Sequence, residues 1–377
     1  MKLSQLETPC LVLDETKLER NVARMRAHLD ELKVSLRPHV KTAKSIDVAR
    51  RVLRPPERSI TVSTLKEAEY FLAQGIDDIL YAVGVTPNKL DHITDLRKRG
   101  AQLALILDNL DAARAVAAHA RTSADPIPVV IEIDCDGHRS GIVPDDPALL
   151  EVGRALAGGG CELRGVMTHA GNSYNCGSVA AIKAMAMQER DAVVDAANAL
   201  RAAGLPCPVV SVGSTPTATY AEDLAGVTEV RAGVFVFFDL VMAGLQVCAL
   251  DDIAISVLAS VIGHQRDKGW IIVDAGWMAM SRDRGTARQK LDQGYGLVCD
   301  ALGRPYAALI VADANQEHGI IALRPGTRAA LPELPLGAQL RILPNHACAT
   351  SAQHQAYQVV RGDADAVSAT WPRVAGW

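Results

Sequence analysis

Eight short runs rich in β-branched and aliphatic residues constrain this chain more than any other feature. They are VSLRPHV (34–40), SITVST (59–64), DILYAV (78–83), QLALILD (102–108), PVVIEID (128–134), LRGVMTH (163–169), PVVSVG (208–213) and TEVRAG (228–233). Most are separated by longer Ala/Leu-rich stretches of helical period. KEAEYFLAQG (66–75) ends on Gly75, a C-terminal cap residue. NLDAARAVAAHA (109–120) has the same character, and AIKAMAMQERDAVVDAANALRAAG (181–204) ends on Gly204. The link after PVVSVG is short, so its helix is the weakest of the set. Strands alternating with helices predict a parallel sheet. A count of eight favours a (β/α)8 TIM barrel, with an open doubly wound sheet as the alternative.

The period changes in the last third. DIAISVLASVIGHQ, GWIIVDAGW, AALIVADA, HGIIAL, AQLRILP and AYQVV are short strands divided by turn residues, with no long amphipathic helix. They predict a second, mostly antiparallel β-domain. The expected division is 12–250 for the barrel and 251–377, with 1–11, for the β-domain. TPCLVLD near the N-terminus is a further strand of either part. A chain of 377 residues has room for both.

Composition excludes some function classes. The net charge is −4 with no basic block, which gives nucleic-acid binding no electrostatic support. No apolar run approaches the roughly 20 residues of a membrane-spanning helix. The 8 cysteines are scattered without a CxxC pair, and the N-terminus has no apolar signal core. A cytoplasmic enzyme with reduced thiols is expected.

In a barrel, chemistry sits where the strands end. Those ends read RPHVKTAKS, EIDCDGHRSG, THAGNSYN, VGSTPTA and RAGVFVFFD, the most polar and Gly-rich parts of the chain. In VGSTPTA, Gly213 permits close backbone approach, and Ser214 and Thr215 add donors, as an anion cradle needs. An ordinary helix cap reads the same way. Phosphates often bind after strands 7 and 8 of barrels, where Gly233 would complete the cradle. Lys41 ends strand 1. Partial desolvation there would free its amine for Schiff-base chemistry; a surface lysine is the plainer reading, and Lys44 is a rival. A lysine, a phosphate cradle and a barrel mouth together suggest pyridoxal 5′-phosphate (PLP). Arg139 and Tyr174 stand at strand ends able to serve its ring, and His169 could stack on it or bond to it.

Near the C-terminus, ILPNHACATSA places His346 two residues before Cys348. Alone, this is a strand end with a buried His and Cys, or a metal pair.

Taken together, TPCLVLD, RPHVKTAKS, EIDCDGHRSG, THAGNSY, VGSTPT, VDAGWMAMSRDRG, ANQEHG and LPNHACAT resemble the fold-type III PLP enzymes, the alanine racemase-like group. They cover nearly the whole chain in order. The resemblance is nearer to the branch of D-threonine aldolase and D-serine dehydratase. TVSTLKEAE, GWMAMSRDRG and ANQEHG look most like the D-threo-3-hydroxyaspartate dehydratase group. It implies that Lys41 carries the cofactor, that Arg139 bonds its phenolic oxygen and that Tyr174 lies near its ring nitrogen. Gly213, Ser214, Thr215, Gly233 and Val234 match the phosphate loops. His346 and Cys348 match a divalent-metal site, and the family implies a homodimer. Aldolases of this branch carry His-x-Asp where this chain has His-x-Cys, which favours a dehydratase, a carbon–oxygen lyase.

The implied reaction is dehydration of a D-3-hydroxy amino acid, most closely D-threo-3-hydroxyaspartate, to oxaloacetate and ammonia. D-threonine aldolase and D-serine dehydratase activity are the alternatives, and a PLP-binding carrier protein is the non-enzyme one. Imidazole plus thiolate suits Zn²⁺, with Mg²⁺ and Mn²⁺ as alternatives. A β-carboxylate needs a cation or donor. Arg282, Arg284 and His318 are candidates, with a solvated loop the plainer reading of the arginines. Gln316 and Glu317 are candidates to orient ligands or substrate.

Overall fold

The computed structural model describes every residue except Asp363, and of Ala307 only the backbone. By contacts the chain divides into two units, Arg24–Gly233 with Gly376–Trp377, and Met1–Ala23 with Val234–Ala375. The elements open with β1 (Cys10–Asp14) and α1 (Glu15–Glu31).

The first unit then alternates β2 (Ser35–Leu36), α2 (Ile46–Val52), β3 (Ser59–Val62), α3 (Leu65–Ala73), β4 (Asp78–Gly84), α4 (Leu90–Lys98), β5 (Gln102–Leu107) and α5 (Leu110–Ser123). It continues through β6 (Pro128–Ile133), α6 (Ala148–Gly158), β7 (Glu162–Thr168), α7 (Val179–Ala202), β8 (Val209–Val212), α8 (Thr215–Tyr220) and β9 (Glu229–Val230). All eight strands β2–β9 are parallel and form one curled sheet in the order β2-β9-β8-β7-β6-β5-β4-β3. Beyond β2 the chain reaches the other edge: Val40 N–H donates to Thr61 O (2.9 Å) and Thr61 N–H to Pro38 O (2.9 Å).

The sequence accounts for these elements. β6 is buried along its whole length, as a continuous apolar run in a sheet covered on both faces should be. Leu80, Ile106, Val130 and Met167, one from each of four neighbouring strands, form a buried layer. Thr64, Asn109, Ser178 and Ser214 each accept a backbone N–H from the first turn of the helix that follows. Gly75 and Gly204 end their helices at φ 83° and 75°. β2 is shorter than its run, yet beyond it Arg37 N and His39 N still bond Val230 O and Ala232 O on the β9 side (2.9 and 2.8 Å). The helix after β8 is short, as its link predicts.

The second unit carries α9 (Leu240–Gly244), β10 (Ile255–Gln265), β11 (Trp270–Val273), α10 (Trp277–Met280), β12 (Gly296–Cys299), β13 (Pro305–Ala314) and β14 (Gly319–Leu323). β15 (Gln339–Pro344), α11 (Ala347–Ser351), β16 (Ala356–Val360) and β17 (Ala369–Pro372) complete it. Its nine strands run β11-β14-β13-β12-β15-β10-β1-β16-β17, and β11 also pairs with β10, so six strands close into a ring. A bulge between Val261 and Gly263 lets β10 serve β15 with one half and β11 with the other. Among the described strand pairs of this sheet, β1–β16 is parallel and the others are antiparallel. TPCLVLD thus joins this sheet, between β10 and β16. Contacts also group Val234–Asp252 with this unit: Ala254 N–H donates to Phe237 O (2.8 Å) and Ala347 N–H to Asp239 Oδ2 (2.9 Å).

Candidate cofactor and metal sites

The carboxyl ends of β2 and β6–β9 gather a dense polar cluster. Lys41 and Lys44 separate clearly. Lys44 is buried at φ 47° and bridges to buried Glu67 (3.1 Å), whereas Lys41 is exposed. His39 and His169 stand close to that amine. Burial, then the charges of Lys41 and Arg231, hold His39 well below the usual imidazole range. Burial drives His169 down to about 3; its bond to the Gly213 carbonyl opposes this, and Lys41, Arg139 and Arg231 add to it. His169 is therefore neutral at physiological pH, with its proton on Nδ1, facing that carbonyl.

Lys41, Arg139 and His169, expected from sequence to work together, are thus within electrostatic reach of one another. Arg139 is exposed and pairs with Glu132 (3.5 Å), which also accepts from Ser140 Oγ (3.1 Å). Tyr174 sits half-buried in the turn Gly171–Asn175, its ring 6.3 Å from that of His169. Arg231 is buried and donates to Ser211 Oγ and Thr168 O, both at 2.5 Å.

The residues expected from sequence to hold a phosphate differ in what they do locally. Ser214 acts as a helix cap, accepting Thr217 N–H (3.2 Å) and sharing a hydrogen bond with Ser173 Oγ (2.9 Å). Gly213 is obligatory, because an added Cβ would come within 1.8 Å of the Arg231 carbonyl oxygen. At Gly233 the same atom would stand 2.7 Å from His39 O. Thr215 Oγ1 is buried without a partner. Val234 is buried and opens the turn Val234–Val236. Beneath the cradle, buried Glu189 of α7 accepts Ala170 N–H (2.9 Å), Gly213 N–H (3.0 Å) and Thr217 Oγ1–H (2.6 Å). Burial raises its carboxyl above the usual range despite those donors.

In the second unit, His346 is the N-cap of α11 and Cys348 lies in its first turn. The His346 side chain is 43% exposed, so it is not a core histidine. Its Nδ1 bonds Asp283 Oδ2 (2.6 Å), and the ring also bonds the Cys348 thiol. Burial opposes the charged ring, but those two bonds, the thiolate charge and the nearby Asp239 carboxylate prevail and push His346 up to about 11. The same hydrogen bond holds Asp283 below the usual carboxylate range. Arg284 is committed to Asp292 (2.7 Å), while Arg282 is exposed over the Trp277 ring (4.9 Å). Gln316, Glu317 and His318 are exposed at the β13–β14 turn, whose Asn315 and Gln316 carbonyls accept Trp277 N–H (2.9 Å) and Met278 N–H (3.1 Å).

Residues 13–241 match the family model of the alanine racemase N-terminal domain, and residues 254–360 match a serine dehydratase domain. The chain belongs to this family of PLP-dependent enzymes. It is 57% identical to the D-threo-3-hydroxyaspartate dehydratase of Delftia sp. (strain HT23), covering 100% of this chain and 99% of that protein. It is 27% identical to the D-serine dehydratase of Dictyostelium discoideum, over 98% of this chain and 97% of that one. The solved Delftia structure superposes with a TM-score of 0.96, covering 100% of each chain at 57% identity. The D-threonine aldolase of Filomicrobium marinum superposes at 0.84, with 27% identity over 99% of this chain and 96% of that one.

The residues present fit the cofactor. A buried hydroxyl without a partner, Thr215 Oγ1, and two glycines with no space for a Cβ are what a phosphate cradle needs. The metal fits by donor chemistry, an imidazole and a thiol two residues apart. Among the described residues no group of three or more His, Cys, Asp or Glu is placed to hold a metal.

Sequence reasoning missed five residues of these clusters: His39, Glu189, Arg231, Asp239 and Asp283. Glu189 had a usable signal. It falls on the buried stripe Ile182, Ala186, Glu189, Val193 of α7, where an acid needs a reason. Asp283 had none, since it lies 63 residues before its partner.

Proposed function

We propose that the chain dehydrates D-3-hydroxy amino acids with PLP and a divalent metal, and that D-threo-3-hydroxyaspartate, giving oxaloacetate and ammonia, is its substrate. One observation carries this above all: 57% identity over the whole chain to an enzyme of that activity. The histidine–cysteine pair supports it. The solved relative has been crystallised as a His-to-Ala mutant and as a Cys-to-Ala mutant in the metal-free form, at positions two apart, the spacing of His346 and Cys348.

When bound, PLP supplies an electron sink for the substrate's α-carbon and the metal supplies Lewis acidity toward its β-hydroxyl. Lys41 Nζ would carry the cofactor and, as a free amine, would take the substrate's α-proton. His169, neutral and fixed by Gly213, serves as an uncharged wall for the ring, and Arg139 and Tyr174 address its polar edge. Gly213, Ser214, Thr215, Gly233 and Val234 hold the phosphate. His346 and Cys348 would hold the metal. Loss of water yields an enamine, whose imine tautomer is hydrolysed to the 2-oxo acid and ammonia.

Zn²⁺ is the metal we favour, on imidazole plus thiolate ligation, ahead of Mg²⁺ or Mn²⁺. Arg282 is our candidate for the substrate's β-carboxylate, because Arg284 is already paired, with Gln316 and His318 as secondary candidates. We further propose that the curled sheet is a complete (β/α)8 barrel, that residues 12–250 carry the cofactor groups and 251–377 with 1–11 the metal pair, and that the enzyme is a cytoplasmic homodimer. Its eight free cysteines suit a reducing compartment.

A substrate panel with and without chelator tests the reading. Ammonia and oxaloacetate from D-threo-3-hydroxyaspartate, lost on chelation and restored by Zn²⁺, is the expected result. Glycine and acetaldehyde from D-threonine would identify an aldolase instead, and pyruvate from D-serine as the faster reaction a D-serine dehydratase.

A further inference from the structure

We infer that Asp283 is the positioning residue of the metal pair: its carboxylate takes the Nδ1–H of His346 and thereby presents Nε2, beside Cys348, to a divalent cation. This rests on the proposed metal role of His346 and Cys348.

To bind a cation an imidazole must be neutral, with one N–H and one lone pair, and an acceptor at Nδ1 decides which nitrogen keeps the proton and which is freed. Asp283 Oδ2 is that acceptor, at 2.6 Å. The carboxylate is itself held, since Oδ1 accepts Gly285 N–H (2.8 Å). It is also not spent elsewhere. Among the described residues Asp283 makes no other ion pair, and Arg284 beside it is committed to Asp292.

The backbone on both sides of His346 is fixed as well. Asn345, buried, donates to Asp283 O (3.1 Å) and Gly294 O (2.7 Å) and accepts from Thr286 Oγ1 (2.8 Å). On the other side Ala347 N–H donates to buried Asp239 Oδ2 (2.9 Å), whose Oδ1 accepts Met242 N–H (2.9 Å) and caps α9. Ring, preceding residue and following residue thus each have their own anchor, and Asp283 is the ring's anchor outside the histidine–cysteine pair itself. A site with two protein ligands depends on the ring's rotation more than a four-ligand site does, because no further ligand corrects a misplaced one.

The test uses the cofactor-loaded enzyme, stripped of metal by chelator and titrated with Zn²⁺ against a chromophoric competitor. Asp283→Ala should weaken Zn²⁺ binding by about 10–100-fold, the usual cost of losing such a partner. Asp283→Asn, which keeps an acceptor oxygen, should recover part of that loss. Cofactor absorbance and metal-free melting temperature should stay at wild-type values in both. Wild-type Zn²⁺ affinity in Asp283→Ala would overturn the inference, and so would a loss in Asp283→Asn as large as in Asp283→Ala. If the alanine variant does not fold, Asp283→Leu, which fills the volume without an acceptor, takes its place. His346→Ala and Cys348→Ala that both bind Zn²⁺ like wild type would instead sink the metal reading itself.

Discussion

The strand-end cluster and the histidine–cysteine turn organise their polar groups in opposite ways. In the cluster, groups from three strand ends and two helices interlock. Arg231 reaches Ser211 and Thr168, Glu189 ties Ala170 to Gly213 and Thr217, and His169 bonds Gly213. Nearly every such group is buried, and each serves as another's partner. At the turn, both members of the pair come from one stretch of three residues, the His346 ring is 43% exposed, and its supports are a few bonds to Asp283, Asp239 and Asn345. A buried network couples function to stability, because removing one member strands another. A sparse, half-exposed pair can lose function while the fold remains. That contrast is open to direct attack.

Lys41→Ala should have the largest effect. Lys41 is exposed, so the fold should stand. Carrier and base are lost together, and turnover should fall by at least about 10³-fold, with loss of the absorbance band of lysine-bound cofactor. A variant that keeps band and turnover would remove Lys41 from the chemistry and return attention to Lys44.

His346→Ala and Cys348→Ala come next. Removing a Lewis acid worth several kcal/mol should cost about 10²–10³-fold in turnover, while cofactor absorbance and melting temperature remain. A large fall in melting temperature would break the contrast, by showing the pair to be structural.

Gly213→Ala probes the opposite pole. Its Cβ would stand 1.8 Å from a backbone oxygen, which no rotamer relieves. A destabilisation of about 2–4 kcal/mol is expected by denaturant titration, accompanied by weaker cofactor binding. An unchanged midpoint would mean that the β8 and β9 ends move apart freely, and that the cluster is not interlocked.

The same contrast explains what the sequence revealed. The eight runs were legible because each strand and its following helix is a local pattern, and the caps at Thr64, Asn109, Ser178 and Ser214 are single-residue signals. The histidine–cysteine pair was legible for the same reason, its two members being neighbours. The carboxylates that support each site were not. Glu189 reaches Gly213 across 24 residues and Asp283 reaches His346 across 63, and only the fold makes such partners adjacent.

The smallest expected effect is a slope. Burial, reinforced by Lys41, Arg139 and Arg231 and opposed by the bond to the Gly213 carbonyl, takes His169 from 6.5 to about 3. Its folded value lies below its unfolded one, so from about pH 6.5 downward the unfolded chain takes up a proton that the folded protein refuses. The stability His169 contributes is therefore complete above pH 6.5 and is lost as pH falls toward 3. Between pH 7 and pH 5 the loss should be about 2 kcal/mol, provided the folded value stays below about 4. His169→Gln keeps a donor for the Gly213 carbonyl and cannot charge. Urea titrations of the cofactor-free protein at the two pH values should show wild type losing about 2 kcal/mol more than this variant. Equal losses would mean that His169 takes its proton inside the folded protein, and that the strand-end cluster is as open to water as the metal turn.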